Sequence, residues 1–348
     1  MGLLFDQLVL QLCSCSHISG EDCAILTLSA GTRRGAKWVI LMVRLAWAVI
    51  AFFSWHMAAA WAGELRTETL PSRVLGRDMP YVIYLPDGYL GGHQHYPVLY
   101  LLHGAGGDEK SWSDRGHIRE KADRLIASGA IPPAIIVMPG CPACWWVDGA
   151  KDKAETAFWS DLVPIIDMRY RTIDSRGGRL VAGLSAGGYG AVRFALRYPD
   201  RIAAAAALSP AVYTEPVPLL SAARVQPPFL TPDGQFNQAA WDRQNYPALL
   251  SRYFAQSFRV PLFLVSGDND KFGIAFETAL LFKRMFERQP DQVELRVVDG
   301  DHSWKVWEST IDTAMRYVFQ FADKPKPAPR TATATKGLPA AQPVSAHP

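Results

Sequence analysis

Short apolar runs of strand length recur along this chain, at 81–85, 98–102, 134–138, 180–184, 202–208, 262–265 and 293–298. Several are separated by segments with helical spacing, notably 154–168, 186–197, 272–287 and 303–321. Strands that alternate with helices pair in parallel, because a parallel neighbour is reached only through a crossover of about a dozen residues or more. The pattern predicts an α/β fold with a mostly parallel sheet over 63–322, as one domain without internal repeats. Within it, 212–256 is rich in proline (Pro216, Pro218, Pro227, Pro228, Pro232) and weak in periodicity. That segment reads as an insertion over the sheet edge, a cap on a substrate cleft.

Composition narrows the class. With 49% apolar residues the chain has material for a large core, which excludes wholesale disorder, a collagen-like chain and a small disulfide scaffold. Lys plus Arg number 36 against 33 Asp plus Glu, and within 63–322 the two signs nearly balance. A broad basic surface for nucleic acid therefore has little support.

The two ends differ from the middle. Arg44 precedes the run LAWAVIAFFSWHMAAAW over 45–61, which is followed by Gly63 and Glu64. A start at Met42 would give 42–62 the parts of a signal peptide in order: a basic beginning, an apolar stretch, and the small-x-small pattern Ala60-Trp61-Ala62. Retention as a membrane anchor is the rival, although the run is at the short end of the roughly 17–25 residues that a spanning helix needs. Residues 1–41, with Cys13, Cys15 and Cys23, read as an over-extended start or a dispensable leader. Residues 323–348, rich in Pro, Ala and Thr, read as a disordered tail.

The strongest chemical signal is Gly183-Leu-Ser185-Ala-Gly187, which follows an apolar strand and runs directly into an apolar-periodic helix. A nucleophile elbow needs that context: the serine sits on a tight strand-to-helix turn, and glycines remove side chains where the two elements approach. The free amides of the helix N-terminus favour negative charge at the same point. A serine hydroxyl also needs a base, and the base needs a group to fix its tautomer. Among the eight histidines, His302 lies downstream of the nucleophile in a strand-end loop, Asp299-Gly300-Asp301-His302. The strand 262–265 ends in Ser266-Gly267-Asp268-Asn269-Asp270, which supplies the acid. Asp270 is favoured over Asp268, because three residues beyond Gly267 give the loop room to turn back over the sheet. Each residue has a structural alternative: a loop His is often solvated, and either Asp could cap the next helix. The order Ser, Asp, His at successive strand ends favours a catalytic triad.

Acyl transfer places negative charge on the former carbonyl oxygen, which calls for two amide donors. The backbone of Ala186 supplies one candidate, and the loop His103-Gly104-Ala105-Gly106-Gly107 supplies the other at Ala105. That loop lacks the Gly-Lys-Ser/Thr ending of a phosphate-binding loop. Cys141-Pro-Ala-Cys144 is a disulfide candidate in an exported chain, with a redox centre or a zinc site as weaker alternatives. The Trp145 and Trp146 that follow are candidate contacts for an acyl group, although buried core tryptophans are the commoner outcome.

Together these motifs resemble the putative esterase branch of the α/β-hydrolases, which includes S-formylglutathione hydrolases, feruloyl and acetylxylan esterases, enterochelin-type esterases and secreted mycolyltransferases. The matching pieces are Leu101-Leu102-His103-Gly104-Ala105-Gly106-Gly107-Asp108 with Trp112, Val137-Met138-Pro139, Gly183-Leu184-Ser185-Ala186-Gly187-Gly188, Gly267-Asp268-Asn269-Asp270, and Gly300-Asp301-His302-Ser303-Trp304 with Trp307. The resemblance spans roughly 81–321 and implies an α/β-hydrolase fold, a mostly parallel central sheet with helices on both faces. It further implies Ser185 as nucleophile, Asp270 as acid, His302 as base, and the amides of Ala105 and Ala186 as the oxyanion hole. Trp112 and Trp304 join Trp145 and Trp146 as candidate substrate contacts. The Cys-Pro-Ala-Cys segment departs from the family's patterns.

These observations lead to an exported carboxylic ester hydrolase, secreted or periplasmic, working through an acyl-enzyme without metal or organic cofactor. Its partner would be a small-molecule or carbohydrate-linked ester. No nucleic acid is involved, and membrane contact would come only through an uncleaved N-terminal segment. Passage of the acyl group to a sugar or other alcohol is the enzymatic alternative. A non-catalytic hydrolase-fold binding protein is the other, disfavoured because it has no reason to keep Ser, Asp and His in register.

Overall fold

The computed structural model describes residues 63–141, 144–149 and 152–327. The leader, the export or anchor segment and residues 328–348 lie outside the described residues. The described strands are β1 Glu64–Ser72, β2 Arg77–Leu85, β3 Gln94–His95, β4 Val98–Leu102, β5 Ile135–Pro139, β6 Arg179–Leu184, β7 Ala204–Leu208, β8 Leu262–Gly267, β9 Val293–Val298 and β10 Lys326–Pro327. Eight of them form one sheet in the order β1-β2-β5-β4-β6-β7-β8-β9. From β5 to β9 every neighbouring pair is parallel, whereas β1 and β2 join antiparallel at one edge. This is the α/β-hydrolase fold that the sequence predicts.

The strands β4 through β8 are buried along their whole length, as a parallel sheet covered on both faces must be. Side chains alternate between two cores. Leu99, Leu101 and Leu180 point to a layer built by α1 (Ser111–Gly116), α2 (Ile118–Ala127) and α9 (Trp304–Phe319), where Trp112, Leu125, Ile311 and Met315 are buried. Tyr100, Leu102 and Val181 point the other way. There they share a core with α3 (Ala154–Ala157), α4 (Val163–Arg169), α5 (Ala186–Arg197) and α8 (Ile274–Phe286), built from Ala157, Ile166, Phe194 and Leu281 together with Phe158 between α3 and α4.

Four details depart from the sequence reading or go beyond it. The edge strand β1, ELRTETLPS, buries only Leu70 and Ser72, so it carries no apolar run to announce it. The stretch around His117 is two helices, because His117 adopts φ 50° and breaks the chain between α1 and α2. The helix expected over 154–168 contains a π turn at Phe158–Leu162. Pro164 follows it and lacks the N–H that would bond back one turn, which widens the helix there. Finally, β10 pairs antiparallel with β3, Lys326 opposite His95. The reading of everything after 322 as disordered therefore begins too early, since backbone pairing orders the first residues of that stretch.

The segment 212–256 leaves the C-terminal end of β7 and returns to β8, folding into two 3₁₀ turns, α6 (Gln238–Gln244) and α7 (Pro247–Phe254). It is tied down by polar bonds. Trp241 Nε1 and Asn245 Nδ2 donate to the Tyr213 carbonyl at 3.0 and 2.6 Å, and Tyr189 Oη donates to the Gln244 carbonyl at 2.9 Å. Arg193 on α5 donates to the same Gln244 oxygen. Arg193 also pairs with the buried Glu155 at 2.6 Å, and Arg197 and Tyr198 reach that carboxylate too. Among the described residues, no helix is long and apolar enough to cross a membrane.

Candidate active site

Four loops at the C-terminal ends of parallel strands converge over the sheet, where open α/β sheets gather reactive groups. Ser185 follows β6 and takes φ 53°, ψ −115°, a conformation that L-residues hold only when their surroundings enforce it. Those surroundings begin with Gly183 and Gly187. A Cβ on Gly183 would lie 2.4 Å from the Gly187 oxygen, and one on Gly187 would lie 2.4 Å from the Leu102 oxygen. The turn therefore closes only with glycine at both positions.

His302 Nε2 lies 2.9 Å from Ser185 Oγ, and His302 Nδ1 lies 2.6 Å from Asp270 Oδ2. An ionised carboxylate only accepts, so Nδ1 carries the proton and Nε2 is free to accept from the serine hydroxyl. The imidazole is held on its flanks by Phe272 and Trp307, whose ring centroids lie 5.1 and 5.0 Å away in edge-on contact. Trp307 is itself fixed, its Nε1 donating to Ser209 Oγ at 3.1 Å. Asp270 Oδ1 accepts the Phe272 amide at 3.0 Å, while Asp268 Oδ1 accepts the Gly300 amide at 3.1 Å. The structure thus brings Ser185, His302 and Asp270 together. It places Asp268 against the backbone that leads to His302.

The loop after β4 carries Ala105 at the cleft, and Ala186 opens α5 directly after Ser185. Three bonds shape this loop. Trp112 Nε1 donates to the Leu102 carbonyl and Trp146 Nε1 to the His103 carbonyl, each at 3.0 Å, and His103 Nδ1 lies 2.7 Å from the Gly104 oxygen. Burial lowers the His103 pKa, with the Gly104 bond acting in the opposite sense.

A cleft of about 710 Å³ lies over Ser185 and His302. One wall is the polar stretch from Asp108 to Arg115, and the other is built from Tyr213, Leu220 and Ala222 of the segment 212–256. Burial pushes the Tyr213 hydroxyl up to about 12, so it stays a neutral phenol. Of the four candidate tryptophans, Trp145 and Trp304 line the cleft. Trp112 and Trp146 do not: both are about 1% exposed, with their indole N–H groups engaged on backbone oxygens. Their expected role as substrate contacts is corrected to one of holding the loop after β4. Cys141 and Cys144 form a disulfide, Cα atoms 5.5 Å apart, behind the cleft wall. Sequence reading overlooked Phe272, Tyr213 and Leu220, which carry no motif and become cleft residues only through the fold. Trp307 had a signal, its place one helical turn after His302-Ser303-Trp304.

The chain belongs to an esterase family: the family model described as "Putative esterase" matches residues 72–318. That family groups α/β-hydrolases that cleave carboxylic esters. Over 147 residues the chain is 34% identical to an endo-1,4-beta-xylanase/feruloyl esterase of Xylanibacter ruminicola, a match covering 40% of this chain and 20% of that protein. Over 133 residues it is 36% identical to esterase Rv1288 of Mycobacterium tuberculosis, covering 36% of this chain and 28% of that protein. The matches thus span less than a third of these relatives' length. A solved ferulic acid esterase superposes with TM-score 0.63 at 28% identity, covering 75% of this chain and 99% of that one. An S-formylglutathione hydrolase from Agrobacterium tumefaciens shares the fold with TM-score 0.60 at 21% identity, covering 76% and 97%.

Proposed function

We propose that this chain is an exported serine esterase that hydrolyses small-molecule carboxylic esters, those of hydroxycinnamic acids first among them. The observation that carries this reading is the unbroken line from Ser185 Oγ to His302 Nε2, 2.9 Å, and from His302 Nδ1 to Asp270 Oδ2, 2.6 Å, at the floor of one cleft. His302 removes the serine proton as Ser185 Oγ attacks the ester carbonyl. Asp270 holds the imidazole in the Nδ1–H tautomer and stabilises the cation that forms. The amides of Ala105 and Ala186 receive the charge that develops on the carbonyl oxygen. His302 then protonates the departing alcohol, and water, activated by the same base, releases the acid from the acyl-enzyme.

The substrate class rests on two supports: the half-buried rings of Trp304 and Phe272 line the cleft beside Ser185, with the buried Trp145 in its wall, and the 28% identical structure is a ferulic acid esterase. The test uses the full chain with chromogenic esters of increasing acyl length and a feruloyl ester. Hydrolysis is expected from the parent and is expected to fall by about 10⁴-fold or more in Ser185→Ala. Activity that survives the substitution removes Ser185 from the mechanism. Export predicts a native N-terminus near Gly63 by mass spectrometry, and an intact 45–61 segment on the native protein overturns cleavage.

A further inference from the structure

The Cys141 N–H donates to His103 Nε2 at 2.9 Å. An amide can only donate there, so Nε2 is the bare nitrogen and the neutral ring carries its proton on Nδ1. Nδ1–H then donates to the Gly104 carbonyl at 2.7 Å. That carbonyl and the Ala105 N–H belong to one planar trans peptide, in which C=O and N–H point in opposite directions. A grip on the Gly104 oxygen therefore sets the aim of the Ala105 N–H. The two indole bonds from Trp112 and Trp146 end on the Leu102 and His103 oxygens, two peptides and one peptide short of this unit. Within the loop itself, Gly107 N also donates to the Gly104 oxygen at 3.0 Å.

One short segment touches His103 twice: Cys141 N meets its ring, and Trp146 Nε1 meets its carbonyl. The disulfide closes the chain between those contacts, with the Cys144 amide also donating to the Cys141 oxygen at 3.1 Å. Both cysteines are buried.

We propose that the Cys141–Cys144 disulfide is a positioning element of the oxyanion hole, acting through His103 on the Gly104–Ala105 peptide, so that the catalytic rate depends on its oxidation state. The inference rests on the serine-esterase reading above. Reduction by a dithiol breaks the S–S bond, delivers two electrons and two protons to give two thiols, and converts the dithiol to its cyclic disulfide. The segment then loses its closure, Cys141 N is no longer held against Nε2, and His103 is free to turn.

The experiment compares the oxidised full chain, the same chain treated with dithiothreitol, the double variant Cys141→Ser/Cys144→Ser, and His103→Gln. Each is assayed for kcat, KM and inhibition by a trifluoromethyl ketone, whose adduct with the serine places an oxyanion in the hole. A misaimed donor lowers kcat on the order of ten- to a hundredfold. KM should stay within about twofold, because ground-state binding is untouched. Affinity for the ketone should fall by the same factor as kcat/KM, and reoxidation should restore the treated enzyme. Dithiothreitol should have no further effect on the double variant, which excludes Cys13, Cys15 and Cys23 as the source. If the double variant does not fold, the reduced enzyme and His103→Gln give the same reading. A folded double variant with parental kcat overturns the proposal, as does a loss of kcat without a matching loss of ketone affinity. If Ser185→Ala is inactive while the double variant works at the parental rate, only the disulfide's role falls. If Ser185→Ala is active, the serine mechanism itself falls.

Discussion

His302 and Asp270, 32 residues apart in sequence, meet at 2.6 Å between Nδ1 and Oδ2, while Asp268 directs its carboxylate to the Gly300 amide instead. The two acids of one loop thus do different things. Asp270→Asn can present an amide N–H to Nδ1 and so stabilise the wrong tautomer, and kcat should fall by about 10⁴-fold. Asp268→Asn keeps an acceptor for the Gly300 amide and should cost less than about tenfold by the same measure. Steady-state rates on one ester check both, and equal losses would refute the division.

His103 gives the fold a pH dependence. Its native ring is neutral and burial lowers its pKa, whereas in the unfolded chain it titrates near the usual value of about 6.5. Below that value the unfolded state binds a proton that the native ring refuses, so stability present at neutral pH is lost as the pH falls. The melting temperature should drop between about pH 7 and pH 5. His103→Gln should flatten that slope, and an unchanged slope would assign the acid sensitivity to other groups.

Gly187→Ala tests the elbow without touching a reactive group. The added methyl would sit 2.4 Å from the Leu102 oxygen and 2.6 Å from the His103 oxygen, both backbone atoms. Relief requires the β6–α5 turn to open, at a cost of about 2–3 kcal/mol. Urea unfolding of the variant measures it, and a loss below about 0.5 kcal/mol would show that the turn has slack.

Glu155→Ala leaves Arg193 buried without its anion. The carboxylate is 2% exposed and holds Arg193 at 2.6 Å and Arg197 at 2.9 Å. Breaking a buried pair by removing one partner costs about 3–5 kcal/mol. Replacing both, as Glu155→Leu/Arg193→Met, should recover much of that loss, which chemical denaturation of the single and double variants resolves.

Much of this arrangement is legible in the sequence because each residue of the proposed triad follows the end of a strand. Ser185, Asp270 and His302 each follow an apolar run and a turn-forming residue, and those local signals locate them without the fold. The edge strand β1 escapes because its exposed face and its partner β2 leave only Leu70 and Ser72 buried. Trp112 and Trp146 mislead because an indole's identity does not tell whether its N–H will meet a ligand or a backbone oxygen. The bond from Cys141 to His103 spans 38 residues and depends on β5 lying beside β4, which no local pattern reports.

Arg193 and Tyr189 both donate to the Gln244 oxygen, which ties the helix behind Ser185 to the segment 212–256 that walls the cleft. The anchor on the wall side is a main-chain carbonyl, so it survives almost any side-chain replacement within 212–256. A graft that swaps this segment for another of different shape therefore needs to supply an oxygen at the right height and donors for the buried Glu277 carboxylate, which Thr214 and the Glu215 amide now satisfy, and the hydrolytic machinery beneath can stay as it is while the choice of ester changes above it.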